Sequence, residues 1–343
     1  MRRAFPLFIA FVLLSSAFLF SQEGQYKVVR IVKAGGEGGF DYVYADAVNR
    51  NLYIPRSGNP GEITIFNLDT LNPKGIIPNI SAHGVAVSPK ASHAFASSKP
   101  VAMWDAKTLT FIKTIDVSGS PDGILYESYS DTVYVLSHKA PNVTVLNASD
   151  GSIAGTIDIG GAPEQAVSDG QGKVFVDIEN HDAVAVIDAH TMKMIDTYSL
   201  RGQGRTCAGL AMDIANKILF VACREPPVMV VMNAQDGAII ATLPVGRGTD
   251  GAIFNPNTLE AFSSNSNGTL TVIKEKSLQD FAAEQSVTTK EFAKTSTLDA
   301  GTGHIFLITA DFGPLPSTQV KGRNSNRGSM IPDSFSILEV GNQ

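Results

Sequence analysis

Asn67-Leu68-Asp69-Thr70-Leu71 is the stretch from which the fold is read, because it recurs. Its later copies are Asp105-Ala106-Lys107-Thr108-Leu109, Asn147-Ala148-Ser149-Asp150-Gly151, Asp188-Ala189-His190-Thr191-Met192 and Asn233-Ala234-Gln235-Asp236-Gly237. A worn copy is Lys274-Glu275-Lys276-Ser277-Leu278. Each follows an apolar residue (Phe66, Trp104, Leu146, Ile187, Met232, Ile273), and successive copies begin 38 to 45 residues apart. Alternating apolar residues end a strand, Asn or Asp accepts hydrogen bonds from the next backbone amides, and Thr or Gly completes a turn into an outer strand. A period of roughly 40 residues built of strands and turns predicts an all-β propeller with one four-stranded sheet per repeat.

Outward from these turns, seven blades can be drawn, six and eight being the alternatives. They start at Asp41, His83, Asp122, Glu164, about Ala208, Asp250 and near Lys294. In blade one, Tyr42-Val43-Tyr44 and Leu52-Tyr53-Ile54 are the expected inner strands. Blade seven runs out after three strands. The unassigned early strand Lys27–Val32 can supply its fourth, closing the ring and removing an exposed edge. Ser277 to Glu284 has helical character and is expected to form a short helix. Residues 313–333, rich in Pro, Ser, Asn and Gly with Lys321, Arg323 and Arg327, interrupt blade seven either as a surface insertion or as a lid on the channel.

The chain has 343 residues, 43% of them hydrophobic, enough for a large core. Net charge is −6 and there is no basic stripe, which argues against nucleic acid as a partner. Arg2 and Arg3 precede an apolar run from Phe5 to Phe20, followed by Gln22 and Glu23. This pattern reads as a secretory signal peptide over residues 1–21, with a short membrane anchor as the alternative. Residues 22–343 are then a single propeller domain in the periplasm or outside the cell, monomeric and not membrane-bound after signal removal. Cys207 and Cys223 lie at one end of the first hairpin of blade five and should form a disulfide.

Aligning the blade starts gives the main chemical constellation. Asp41, His83, Asp122, Glu164, Asp250 and Lys294 should form a ring at one mouth of the channel. The bland reading is that they cap strands and hydrogen-bond between blades. The sharper reading is a ligand site, in which Asp41, Asp122, Glu164 and Asp250 hold a divalent cation and His83 is a candidate base. On the same upper face, the loops between second and third strands offer Arg56, His138, His181, Arg224, Asn265 and Asp311. His93, His190 and His304 read as surface residues. No nucleophile-elbow, phosphate-loop, zinc-helix or haem-attachment motif occurs in a usable context.

The phrases Asp41-Tyr42-Val43-Tyr44-Ala45-Asp46, Leu52-Tyr53-Ile54-Pro55-Arg56-Ser57-Gly58, Val186-Ile187-Asp188-Ala189-His190-Thr191, Gly268-Thr269-Leu270-Thr271-Val272 and Phe335-Ser336-Ile337-Leu338 resemble the YncE-like, YVTN-repeat β-propellers exported by bacteria. The namesake Tyr-Val-Thr-Asn occurs only in altered form, as at Phe175–Ile178 and Tyr134–Ser137. The resemblance covers essentially the whole mature chain. It implies a seven-bladed exported ring acting as a binding scaffold for a protein, peptide or small ligand on its upper face. Two alternatives follow from more distant architectural relatives. One is a lactonase-like hydrolase or lyase whose channel cation polarises a carbonyl and activates water. The other is a cofactor or metal carrier accessory to a respiratory pathway, where an axial histidine would be His83, His138 or His181. Fold alone transfers none of these activities.

Overall fold

The computed structural model describes residues 25–315 and 327–342. Among them the repeat turn forms as its chemistry dictates. Asn67 Oδ1 accepts from the amides of Asp69 at 3.0 Å and Thr70 at 2.9 Å. Asp105 does the same for Lys107 and Thr108, and Asn233 for Gln235. The fifth residue then donates its amide to the first residue's carbonyl, as from Leu71, Leu109, Gly151 and Gly237. That residue is left-handed in each copy, with φ of 56° at Leu71, 60° at Leu109 and 52° at Met192. Gly adopts this conformation freely, whereas the other three carry side chains that are held there by packing on the blades.

The worn copy behaves differently. Lys274 cannot accept an amide hydrogen bond, so no such turn forms. The strands Thr269–Ser277 and Asp280–Thr288 instead run on as a long hairpin. This corrects the expected helix from Ser277 to Glu284. Helical structure among the described residues is confined to the 3-10 turn Glu179–His181.

Seven four-stranded antiparallel sheets, all within the described residues, stand around an axis. In blade four, for example, the order from axis to rim is Pro163–Ser168, Lys173–Ile178, Ala183–Asp188 and Lys193–Ser199. The innermost strand of blade one is Tyr44–Asp46, slightly later than expected. Tyr42 and Val43 precede it, and the Tyr42 amide donates to His83 O of blade two. Apolar clusters lie between neighbouring blades. Tyr53, Ile65 and Trp104 join blades one and two, and Phe175, Leu210 and Val230 join blades four and five.

The ring closes through Tyr26–Lys33, which pairs antiparallel with Ser336–Asn342 as the outermost strand of blade seven. It also clasps both neighbours. Tyr26 Oη donates to Glu260 at 2.6 Å in blade six, and Arg30 reaches the carbonyls of Asp69 and Thr70 in blade one. Cys207 and Cys223 are cross-strand partners in blade five and are disulfide-bonded, both fully buried. Their loop is 16 residues, so the Cys207→Ser/Cys223→Ser variant should lose about 3 kcal/mol, read as a lower urea midpoint. An unchanged midpoint would contradict this.

Two expected upper-face residues belong to the core. Arg56 is 2% exposed, lies 3.7 Å over the Phe335 ring and donates to the carbonyls of Gly35 and Gly38. Burial pushes its guanidinium down to about 10. Asn265 is wholly buried, and its amide nitrogen bonds Ser263 O, Thr269 O and two threonine hydroxyls. The expected signal peptide and cleavage point lie outside the described residues, as do Lys321 and Arg323. The base of the 313–333 insertion is a short ladder in which Phe312 pairs with Met330.

Candidate functional site

Each inner strand starts at the upper mouth, and close approach at the axis sets the residue types there. A Cβ on Gly123 would sit 2.7 Å from Glu164 O, and one on Gly209 would sit 2.8 Å from Ala252 N. Glycine therefore lets neighbouring strands converge and brings the preceding side chains together.

Asp41, His83, Asp122, Glu164, Asp250 and Lys294 do meet, in a chain of alternating charge. His138 Nε2 lies 3.4 Å from Glu164 Oε1 and 3.0 Å from Asp122 Oδ2. His83 Nδ1 lies 3.3 Å from Asp122 Oδ1 and 3.2 Å from Asp41 Oδ2. Lys294 then bridges Asp41 and Asp250, and Arg224 bridges Asp250 and Glu179. Asp41, Asp122, Glu164 and Asp250 are thus separated along the chain by His83, His138 and Lys294. His138 and Arg224 come from the ends of second strands, which the sequence alone places only on the rim. In blade five the ring position is Ala208, which is buried and has no charge, and Arg224 fills its sector.

The remaining rim residues stay apart from this chain. His181 is exposed on the 3-10 turn, and Asp311 is exposed and pairs with Lys290 at 2.7 Å. His190 is exposed as expected. His93 Nδ1 lies 2.9 Å from Ala148 O, and His304 pairs with Glu339 at 2.5 Å, so neither is a bare surface side chain.

The electrostatics follow from this order. Burial raises the Asp41 carboxyl, but Lys294 and His83 outweigh it and hold its pKa below the usual value. The hydrogen bond to Asp41 raises His83. Burial, reinforced by neighbouring carboxylates, raises Asp122 and Glu164. Asp177 is the group that sequence reading missed. It is fully buried on the second strand of blade four, and neither carboxyl oxygen takes a hydrogen bond. Burial, with Glu164 and Glu179 nearby, holds its pKa well above the ordinary value. Its position inside the strand Phe-Val-Asp-Ile was the available signal, since an acidic residue between core positions is rarely buried without a reason.

A carboxyl whose folded pKa exceeds its unfolded one contributes stability below the unfolded value, about 4, and loses it as pH rises toward the folded value. Asp177→Asn cannot ionise. Its stability relative to wild type should therefore grow as pH rises from about 4 to 8, measured by urea midpoints across that range. A difference that stays constant with pH would refute ionisation of Asp177 as the cause.

Above the charged chain lies a chamber of about 410 Å³, lined by Asp41, His83, Asp122, His138, Glu164 and Lys294, with Phe40, Phe292 and Arg327 at its lip. The Arg327 guanidinium lies 4.6 Å over Phe312 and near Phe40 and Phe292. Below, the side chain of Gln165 crosses the channel. Its Oε1 accepts from Leu210 N and Ala252 N, each at 3.0 Å, and its Nε2 donates to Ala252 O at 2.9 Å. Under this crossbar is a second cavity of about 450 Å³, lined mainly by apolar residues such as Leu125, Val167, Met212, Ile253 and Phe254.

No protein-family model and no curated protein matches the sequence. Solved structures similar to this chain include one of the mitotic checkpoint complex, with a TM-score of 0.70 and 12% identity over 90% of this chain and 95% of that one. A chain of RRP9 WD40 repeats has a TM-score of 0.69 at 11% identity, covering 92% and 97% respectively. The U3-55K structure has 0.67 at 11%, covering 91% and 98%. These neighbours are WD40 β-propellers, and at such identities the likeness shows the fold alone.

Proposed function

We propose that this propeller is an exported, non-enzymatic binding scaffold of the YncE-like, YVTN-repeat kind. It takes a small ligand or a polar segment of a partner protein into its upper mouth. Propellers with WD40-like architecture are typical protein-binding scaffolds, which supports the general reading. The observation that carries the specific one is the upper chamber. It is concave, of ligand size, and combines converging charged groups with an aromatic lip. The apolar run near residue 1 supports export.

The test places a photo-crosslinking side chain at Ser57, on the chamber wall, and in parallel at Ile195, exposed on the rim of blade four. A discrete product from Ser57 that is absent from Ile195 is expected. Identical patterns from both, or nothing from Ser57, would sink the reading. Fractionation of cells expressing the chain with and without residues 1–21 tests export, and equal distribution of the two forms would refute it.

A further inference from the structure

The upper chamber has two electrically different sides. Where blades five, six, seven and one meet, the bridging cations are Arg224 and Lys294, which hold carboxylates but do not ligate metals. Where blades two, three and four meet, the bridging groups are the imidazoles of His83 and His138. Imidazole nitrogen and carboxylate oxygen together are the donor set of zinc and similar ions.

We propose that Asp122, His138 and Glu164 form a three-donor site for a divalent first-row transition ion, with zinc the reference ion and a fourth position open to the chamber. The donor atoms of these residues all lie within 4.8 Å of one another. Asp122 Oδ2 and Glu164 Oε1 stand 3.0 and 3.4 Å from His138 Nε2. Four ligands arranged tetrahedrally at zinc's bond lengths are separated by about 3.4 Å, so the donors are already nearly at the required spacing. They come from strand ends of two adjacent blades, a rigid mount. His83 contacts the other oxygen of Asp122 and acts as a positioning residue. Asp41, by contrast, gives one oxygen to Lys294, and both oxygens of Asp250 are held by Lys294 and Arg224.

A second observation points to the same place. Asp177 is 0% exposed and its carboxyl oxygens accept no hydrogen bond. In the ladder it faces the irregularity that carries Glu164, between the pairs Pro163↔Ile178 and Ala166↔Val176. A buried carboxyl without partners calls for a compensating group nearby, and a cation held by Glu164 supplies one.

This inference deepens the upper-mouth reading, since the metal's open position would bind a donor atom of the ligand. The test uses the chelator-stripped chain and zinc sulfate alone, followed by calorimetry. One equivalent should bind, and His138→Gln and Glu164→Gln should each weaken binding at least about 100-fold. In the wild type, zinc should protect His138 from diethyl pyrocarbonate while His190 remains modified, a readout that needs no variant to fold. No zinc uptake, uptake without protection of His138, or loss of uptake on Asp250→Asn would overturn the assignment. Crosslinking at Ser57 without zinc uptake would remove the metal and leave the scaffold, and zinc uptake without crosslinking would do the reverse.

Discussion

Deleting residues 25–33 removes the cooperative unfolding transition of the whole ring. Blade seven keeps three strands without this segment, Ser296–Leu298, Ile305–Thr309 and Ser336–Asn342. Seven paired positions from Tyr26 to Lys33 are lost. Tyr26 and Val28 leave the cluster around Phe262, Leu270 and Val340, and Val32 leaves the one around Phe306 and Phe335. Tyr26 is buried and Val28 and Val32 are half-buried, so, against about 1.5–3 kcal/mol for one fully buried side chain, the three together contribute roughly 3–6 kcal/mol. The loss is therefore comparable to the roughly 5–15 kcal/mol that holds an ordinary domain together. The hydrogen bonds of Tyr26 to Glu260 and of Arg30 to blade one go as well, so three blades loosen at once. Thermal denaturation followed by circular dichroism checks this, and a peptide of residues 25–33 added in trans should restore the transition. A truncated chain that melts within a few degrees of the full one would show that the clasp is dispensable.

Gln165→Leu lowers stability by about 3–6 kcal/mol while leaving the outer blades intact. The crossbar amide satisfies three backbone groups at once, Leu210 N, Ala252 N and Ala252 O. Leu210 is fully buried and Ala252 is 1% exposed, and both line the cavity beneath the crossbar together with Gln165. Each stranded group costs about 1–3 kcal/mol, and water in that cavity repairs part of the loss, which brings the total to about 3–6 kcal/mol. The urea midpoint should fall at unchanged slope, since the surface exposed on unfolding stays the same. A shift below about 1 kcal/mol would mean that the inner strands of blades five and six do not depend on the crossbar.

The repeat turn was legible because it is local. Asn67, Asp105, Asp188 and Asn233 act on amides two or three residues away, and the sequence displays that relation directly. Ring membership of Asp41, His83, Asp122, Glu164, Asp250 and Lys294 was legible through the period, since equivalent positions in a symmetric ring must converge. The basic side chains that complete the ring were harder to place. His138 and Arg224 sit on second strands, and only the inward lean of those strand ends brings them to the axis. Arg56 is the strand residue just before Ser57, which holds the position corresponding to His138, and it turns under Phe335 because the closing blade seven offers an aromatic face there. Gln165 was invisible as a crossbar because its partners are in blades five and six, 45 and 87 residues away. Only the sixth turn misled, and it did so at the one copy where Lys274 replaces the Asn or Asp acceptor.

The strand that closes the ring also imposes a wait. Tyr26 must find Asn342, so its partner is made almost a full chain later. At a synthesis rate of about 5–20 residues per second, that interval is roughly 15–60 s. Throughout it, an apolar β-segment stands with neither edge covered, a ready template for association with other chains. The spacing of Lys27, Arg30 and Lys33 among Val28, Val29, Ile31 and Val32 acquires a purpose in this light. Repulsion between like-charged copies keeps the waiting segment single until the last blade arrives.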